Sequence, residues 1–347
     1  MAKGGKVLSR TEIVRLLQAR GPEQQKLFSR ATSIRRERFG ERAIIRGVIE
    51  VTNKCRVNCR YCPMRLENTR DNDTYLMNEG EILDTVSQLK ECGIRVVFLQ
   101  GGEIPQTTTL VGQAIPKIRE LVPYPVEILL CLGNKSKREY SYLRGMGADS
   151  YILKQETSDP ELHEQIREAS WPERKRCLID LLSLGYRVGT GVIVGLPGQT
   201  LEHLADDILF AKTLGVSMMS AAPLVPAGNT PFANLPAGDF DTALNFMAVS
   251  RLVEPEWLIP TVSAMEKIRP GGQLAGLNAG ANVMTANFTI GTKRDRYLIY
   301  GKERFVVEQG HVWDALRQAG LRPDLSDLDA PLGLGKRDIG RVGTPAF

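Results

Sequence analysis

From about residue 43 onward, short apolar, β-branched segments alternate with longer stretches of helical spacing. The strand-like segments are 43–51, 94–100, 126–132, 149–153, 187–194, 217–222, 257–262 and 280–285. The helix-like segments between them are roughly 78–92, 108–121, 136–146, 172–184, 200–214, 239–253 and 271–277. Strands joined by helical crossovers lie parallel, and eight of them close naturally into an α/β fold, the (β/α)8 TIM-type barrel. Such a barrel takes about 250 residues, and the chain has 347. The surplus lies at its two ends. Residues 9–38 read as two helices, with Ser9 and Glu12 spaced as a capping box and Pro22 suited to a first helical turn. Residues 295–320 read as a short strand pair and a helix packed on the barrel. The Gly-, Pro- and Asp-rich stretch 321–347 reads as irregular. The expected division is an N-terminal helical extension (1–40), the barrel (41–290) and a C-terminal extension (291–347).

Composition narrows the function. Hydrophobic residues at 42% and charged residues at 24% suit a packed soluble protein. No run of about 18 apolar residues is present to span a membrane. The start MAKGGKVLSRTE lacks the apolar core of a signal peptide, so a cytoplasmic location is expected. The net charge of +5 is spread along the chain, with no basic block to bind nucleic acid. Six cysteines are too few for a disulfide framework in a chain this long. Three of them fall within eight residues, which points to metal or redox chemistry.

Those three, Cys55, Cys59 and Cys62, stand as Cys-x3-Cys-x2-Cys in CRVNCRYC, directly after the first strand. In a barrel, loops at that end of the strands build the active face. Three thiolates on one short loop can converge on a metal. Tetrahedral zinc wants a fourth protein ligand, and the three histidines, 163, 203 and 311, all lie far along the chain. On a [4Fe-4S] cluster, three thiolates leave one iron open. Tyr61 precedes the last cysteine.

This segment resembles the radical S-adenosylmethionine (radical SAM) enzymes, whose signature is Cys-x3-Cys-x-aromatic-Cys. The resemblance implies that SAM chelates the open iron of the cluster. It further implies that an external electron donor of ferredoxin or flavodoxin type reduces the cluster, giving a 5′-deoxyadenosyl radical.

Four further motifs fit a SAM site. VVFLQ runs into Gly101-Gly102-Glu103. Glycines let backbone approach closely and Glu103 can accept from an ammonium, although a plain turn reads the same way. The resemblance places this motif near the SAM amino group. DSYILK leads to Gln155-Glu156-Thr157, where Glu156 is either a ribose-diol ligand or a solvated helix-start glutamate. Arg167, Arg174 and Arg176 could each grip a carboxylate, and the resemblance selects Arg174. Gly191-Val192-Ile193-Val194-Gly195 matches the family's Gly-x-Ile-x-Gly strand, whose backbone at Ile193 is expected to pair with adenine.

Within the superfamily the sequence resembles the biotin synthase-like branch, and in it the [FeFe]-hydrogenase maturase family HydE. The likeness runs from about residue 40 to 300 and includes VIEVTNKCRVNCRYC, YILKQETSDPELH, GVIVGLPGQT and SAMEKIRPGG. It implies a substrate pocket inside the barrel. Arg46, which strand alternation can point inward, and Lys154, at the end of the fourth strand, then predict a small anionic, amino-acid-like substrate, one that can carry sulfur or a metal. The alternative is an ion pair of these cations with Glu50 or Glu127. Gln100 and Ser263 are candidate polar contacts. Ser263 closes Pro260-Thr261-Val262-Ser263, where the maturases have paired threonines, and Lys154 replaces an arginine, so the substrate can differ. Cys92, Cys131 and Cys177 read as core or spectator thiols, which disfavours sulfur insertion from a second cluster. Alternatives are an amino-acid mutase of the methylornithine synthase type and, from another class, a non-enzymatic iron-sulfur carrier. The chain is expected to be monomeric or weakly associating.

Overall fold

The structure, a computed structural model, describes residues 8–70 and 72–324. Its strands are β1 (Arg42–Thr52), β2 (Val96–Gly101), β3 (Glu127–Cys131), β4 (Ser150–Ile152), β5 (Arg187–Val194), β6 (Met218–Pro223), β7 (Val283–Asn287) and β8 (Arg322–Pro323). All pairs are parallel, in the order β6-β5-β4-β3-β2-β1-β7, with β8 added to the start of β1. The gap between β6 and β7 is spanned by residues 257–261. Leu258 N donates to Ser217 O (3.0 Å) and Thr261 N to Val283 O (3.0 Å). The sheet therefore curls round on itself as the alternation predicts. The expected strand 257–262 is present only as isolated bridges, because Pro260 has no N–H for a ladder.

Strand alternation on β1 divides the interior. Ala43, Ile45, Ile49 and Val51 join the large core between sheet and helices. Ile44 and Val48 instead join a small inner cluster with Phe39, Val96, Phe98, Leu129, Met218, Leu258 and Val283. Phe39 ends the N-terminal helix Gly21–Phe39 and lies under the Arg251 guanidinium, 4.8 Å from its ring centre. Arg251 is itself held by the carbonyls of Pro255, Trp257 and Gly280. The end of the barrel where the strands begin is thus plugged, and the interior opens where the strands end.

The helices fall where the spacing places them, with three short additions, Pro160–Arg167, Ser263–Ile268 and Gly291–Arg294, and a 3-10 turn at Leu66–Arg70. Ser9 and Glu12 form the capping box. The strand pair expected in 295–320 is absent among the described residues. An irregular strap takes its place, turning at Tyr300 (φ 63°) and Gly301 (φ 92°), followed by the expected helix Gln309–Gln318. A left-handed pair of residues cannot continue a strand. β8 falls in the stretch read as irregular, and the rest of that stretch lies outside the described residues. Among the described residues no helix is long and apolar enough to cross a membrane.

Candidate active site

The three cysteines lie on the loop after β1, which is pinned at both ends. Gly102 N donates to Thr52 O (3.1 Å) and Arg56 N to Glu103 O (3.0 Å). A Cβ on Gly102 would sit 2.0 Å from the Lys54 carbonyl oxygen, so only glycine lets the start of the loop lie against the end of β2. Further on, Arg60 N donates to Ile166 O (2.8 Å) and Cys62 N to Cys59 O (3.2 Å). Cys55, Cys59 and Cys62 face one cavity together with Tyr61, Gly101, Gly102, Glu103, Glu156, Arg167, Arg174 and Ile193. Every residue that the sequence assigns to the cluster and to SAM therefore meets here.

The polar groups of this cavity are partly committed. Glu103 is buried and accepts from Arg56 Nη2 (3.2 Å) and Asn134 N (2.7 Å), with Arg167 Nη2 at 3.8 Å. A carboxylate offers about four lone-pair sites, so Glu103 keeps acceptor capacity. Tyr61 Oη donates to Glu156 Oε1 (3.2 Å), while Glu156 Oε2 is buried with no partner. Arg174 is 2% exposed and its Nε also has no partner. Arg176 turns away to Asp180 (2.5 Å), which removes it from the three arginine candidates. Arg167 stays in the cavity beside Arg174 and is the residue that sequence reasoning passed over. Burial works against its charge, but Cys59, Tyr61, Glu156 and Glu103 outweigh it and raise its pKa. Ile193 differs from expectation. Its N–H is taken by Glu156 O (3.0 Å), and its carbonyl accepts from Gln199 Nε2 (2.9 Å). That leaves its side chain, rather than a free strand edge, to face the cavity.

A second cavity lies deeper in the barrel and shares Gln100, Cys131, Ile152, Lys154, Ile299 and Tyr300 with the first. Arg46, Glu50 and Ser263 line it, and so do Thr190, Thr261 and Asn287. Arg46 is 3% exposed and donates to Met218 Sδ (2.9 Å). Burial lowers its pKa to about 10, with Glu127 offsetting part of this and Arg187 adding to it. The carboxylates considered as its partners are both engaged elsewhere: Glu127 with Arg187 (2.8 Å) and Glu50 with Arg304 (2.5 and 2.7 Å). Lys154 has the Glu156 carboxylate near enough to favour its charge. Burial disfavours its charge, and Tyr300, Glu156 and Cys131 reverse the shift to a raised pKa. Gln100 donates to Tyr297 Oη (3.0 Å).

Two corrections follow. The strap is part of the site, for Tyr297, Ile299, Tyr300, Arg304 and Phe305 all reach one or both cavities. Cys131 is no core thiol, because it lines both cavities. It shares its β3 face with Leu129 of the inner cluster, so alternation alone could have placed it. Burial pushes its pKa up to about 11, with Lys154 pulling the other way, so it stays a thiol. Cys92, which donates to Gln309, and the fully buried Cys177 do sit in structural positions.

The donor set fits a cluster with SAM. Among the described residues no three Cys, His, Asp or Glu side chains gather tightly enough for one metal ion. A cubane spreads its thiolates over separate irons and so asks for a wider triad. Burial, then the neighbouring thiols, raise the Cys62 pKa, and burial first raises that of Cys55. Such thiols need a cationic partner in order to ionise. Glu156, Arg167 and Arg174, each with one buried polar atom left unpartnered (Oε2, Nε and Nε), line the same space. They suit a ligand that carries hydroxyl and carboxylate groups.

Comparison with known proteins agrees with this donor set. The profile of the Radical SAM superfamily matches residues 49–211. The [FeFe] hydrogenase maturase subunit HydE of Thermotoga maritima is 37% identical over 284 residues, covering 82% of this chain and 81% of that protein. A 3-methylornithine synthase of Methanosarcina acetivorans is 25% identical, covering 81% and 79%. The crystal structure of methylornithine synthase (PylB) shares the fold, with a TM-score of 0.79 over 92% of this chain and 95% of that one, at 24% identity.

Proposed function

The chain belongs to the radical SAM superfamily, and from that premise we propose that it acts on a small anionic, amino-acid-like substrate bearing sulfur or a metal, in a maturation role like that of HydE. Bound at Cys55, Cys59 and Cys62, a [4Fe-4S] cluster with SAM supplies a 5′-deoxyadenosyl radical on one-electron reduction. Glu103, oriented by Arg56 and the Asn134 N–H, accepts from the SAM ammonium. Arg174, with Arg167 beside it, takes the carboxylate. Glu156 Oε2 takes a ribose hydroxyl, and the Ile193 side chain packs on adenine. Arg46 and Lys154 hold the anionic group of the substrate, with Gln100 and Ser263 as neutral polar contacts. The strap covers the shared part of the two cavities and keeps water from the radical. The reductant is an external carrier of ferredoxin or flavodoxin type, and the working location is the cytoplasm.

The observation that carries the anionic substrate is Arg46: a buried guanidinium whose neighbouring carboxylates are both paired with other arginines. A buried cation without a counter-ion is costly, and an anionic ligand removes that cost. The test is anaerobic reconstitution with dithionite, SAM and a panel of small thiols and amino acids. Acidic members should stimulate 5′-deoxyadenosine formation and their carboxamide analogues should not. Equal stimulation by acid and amide would refute the reading.

A further inference from the structure

Asp207 is a fully buried carboxyl on the helix Leu201–Leu214, with no cation bonded to it among the described residues. It interrupts an apolar stripe of Leu204, Ala205, Ile208 and Ala211. Its Oδ1 accepts from Gln155 Nε2 (3.0 Å) and from Ser158 N, and its Oδ2 has no partner. Those two donors bracket Glu156, whose backbone is left-handed (φ 62°) although it is not glycine. A non-glycine residue in that region persists only where its surroundings hold it there. Other bonds help: Gln155 N donates to Thr190 Oγ1 (3.0 Å) and Glu156 N to Gly191 O (2.9 Å). Asp207 ties both flanks of Glu156 to a single point, and the His163 ring holds the backbone of Gln155 and Thr157 from another element. Burial raises its pKa to about 7, the mark of a carboxyl placed where packing alone would choose an apolar residue.

We infer that Asp207 is a positioning residue for SAM: by clamping Gln155 and Ser158 it holds Glu156 in the rotated backbone that turns its carboxylate toward the cofactor cavity. The inference rests on the reading of Glu156 as a SAM contact.

The test is SAM binding to the reconstituted full-length protein by titration calorimetry, with iron content and unfolding temperature read in parallel. Asp207→Ala should weaken SAM roughly tenfold without loss of iron, the effect of releasing a charged hydrogen-bonding group. Asp207→Asn keeps the Oδ1 acceptor and should stay within roughly twofold of the parent. Wild-type SAM affinity in Asp207→Ala, with only a lower unfolding temperature, would overturn the inference and leave Asp207 a packing residue. If Asp207→Ala does not fold, Gln155→Met removes one arm of the same clamp. It should weaken SAM in the same direction, and an unchanged affinity there overturns the inference as well. Glu156→Ala separates the two readings. Lost affinity in Glu156→Ala with normal affinity in Asp207→Ala defeats the clamp alone, whereas normal affinity in Glu156→Ala defeats the Glu156 assignment and the inference with it.

Discussion

Arg304 grips Glu50 with two parallel bonds inside the barrel, Nη1 to Oε1 at 2.5 Å and Nη2 to Oε2 at 2.7 Å. Both side chains are almost wholly buried, at 8% and 2% exposure. The pair joins the strap to β1. It also removes Glu50 as a partner for Arg46, which lies on the same inward face of the strand.

Breaking that pair should be costly. Arg304→Met leaves Glu50 as an uncompensated buried charge and should lower stability by about 3–5 kcal/mol. The double variant Arg304→Met with Glu50→Leu should recover most of the loss, because an apolar pair needs no counter-ion. Urea unfolding of the three proteins measures this. A double variant no more stable than the single would show that the strap, and not the charge, sets the cost.

How far the sequence reached depends on the range of each contact. Period-two alternation was enough to turn Arg46 inward, and the spacing of Cys55, Cys59 and Cys62 was enough to locate the cluster loop. The same alternation sets Cys131 on the inward face of β3 beside Leu129, although by type alone it reads as a core or spectator thiol. The helix Pro160–Arg167 carried a local signal, Asp159 capping Leu162 N (2.8 Å) ahead of Pro160. Arg304, Tyr300 and Arg167 are different in kind. They reach the site across long stretches of chain, Arg304 and Tyr300 through a strap with no periodic pattern and Arg167 at the end of the helix Pro160–Arg167. One local signal does separate Arg167 from Arg176: Asp180 lies four residues beyond Arg176 and draws it outward.

The cluster assignment predicts that replacing Cys55, Cys59 or Cys62 by Ala abolishes the reduced [4Fe-4S] signal and all SAM cleavage. Reconstituted protein should hold about four irons per chain, the capacity of one three-thiolate site. A count near six to eight that falls when Cys131 is replaced would reveal an auxiliary cluster at the cavity junction.

His163 predicts a pH effect. Its Nδ1 meets the Gln155 carbonyl at 2.7 Å, so that nitrogen carries the proton, while Nε2 is buried with no partner among the described residues. Burial, then the charges of Arg167 and Arg174, lower its pKa to about 3. Unfolded, it titrates near 6.5. Between those values the unfolded chain binds a proton that the folded chain refuses, so stability falls as pH drops below about 6.5. From pH 7.5 to 4.5 the loss should be roughly 2.5 kcal/mol. It should be missing in His163→Gln. The difference between wild type and variant, read by urea unfolding of the apoprotein at both pH values, cancels the other titrating groups. A difference that does not change with pH would mean that the folded ring can be protonated.

The most direct test of the account separates cofactor from substrate across Arg174→Ala, Arg46→Ala and Lys154→Ala. Equilibrium SAM binding and substrate-dependent 5′-deoxyadenosine formation are measured on each. Arg174→Ala should weaken SAM by roughly 10- to 150-fold, the loss of one charge-assisted contact. Arg46→Ala and Lys154→Ala should bind SAM almost as the parent does and yet lose the response to substrate. Combining them should add less than the sum of their effects, because both grip one anionic group. If the Arg46 and Lys154 variants lose SAM affinity as badly as Arg174→Ala while coupling to substrate is unchanged, the inner cavity is not an anion pocket and the proposed substrate class is wrong.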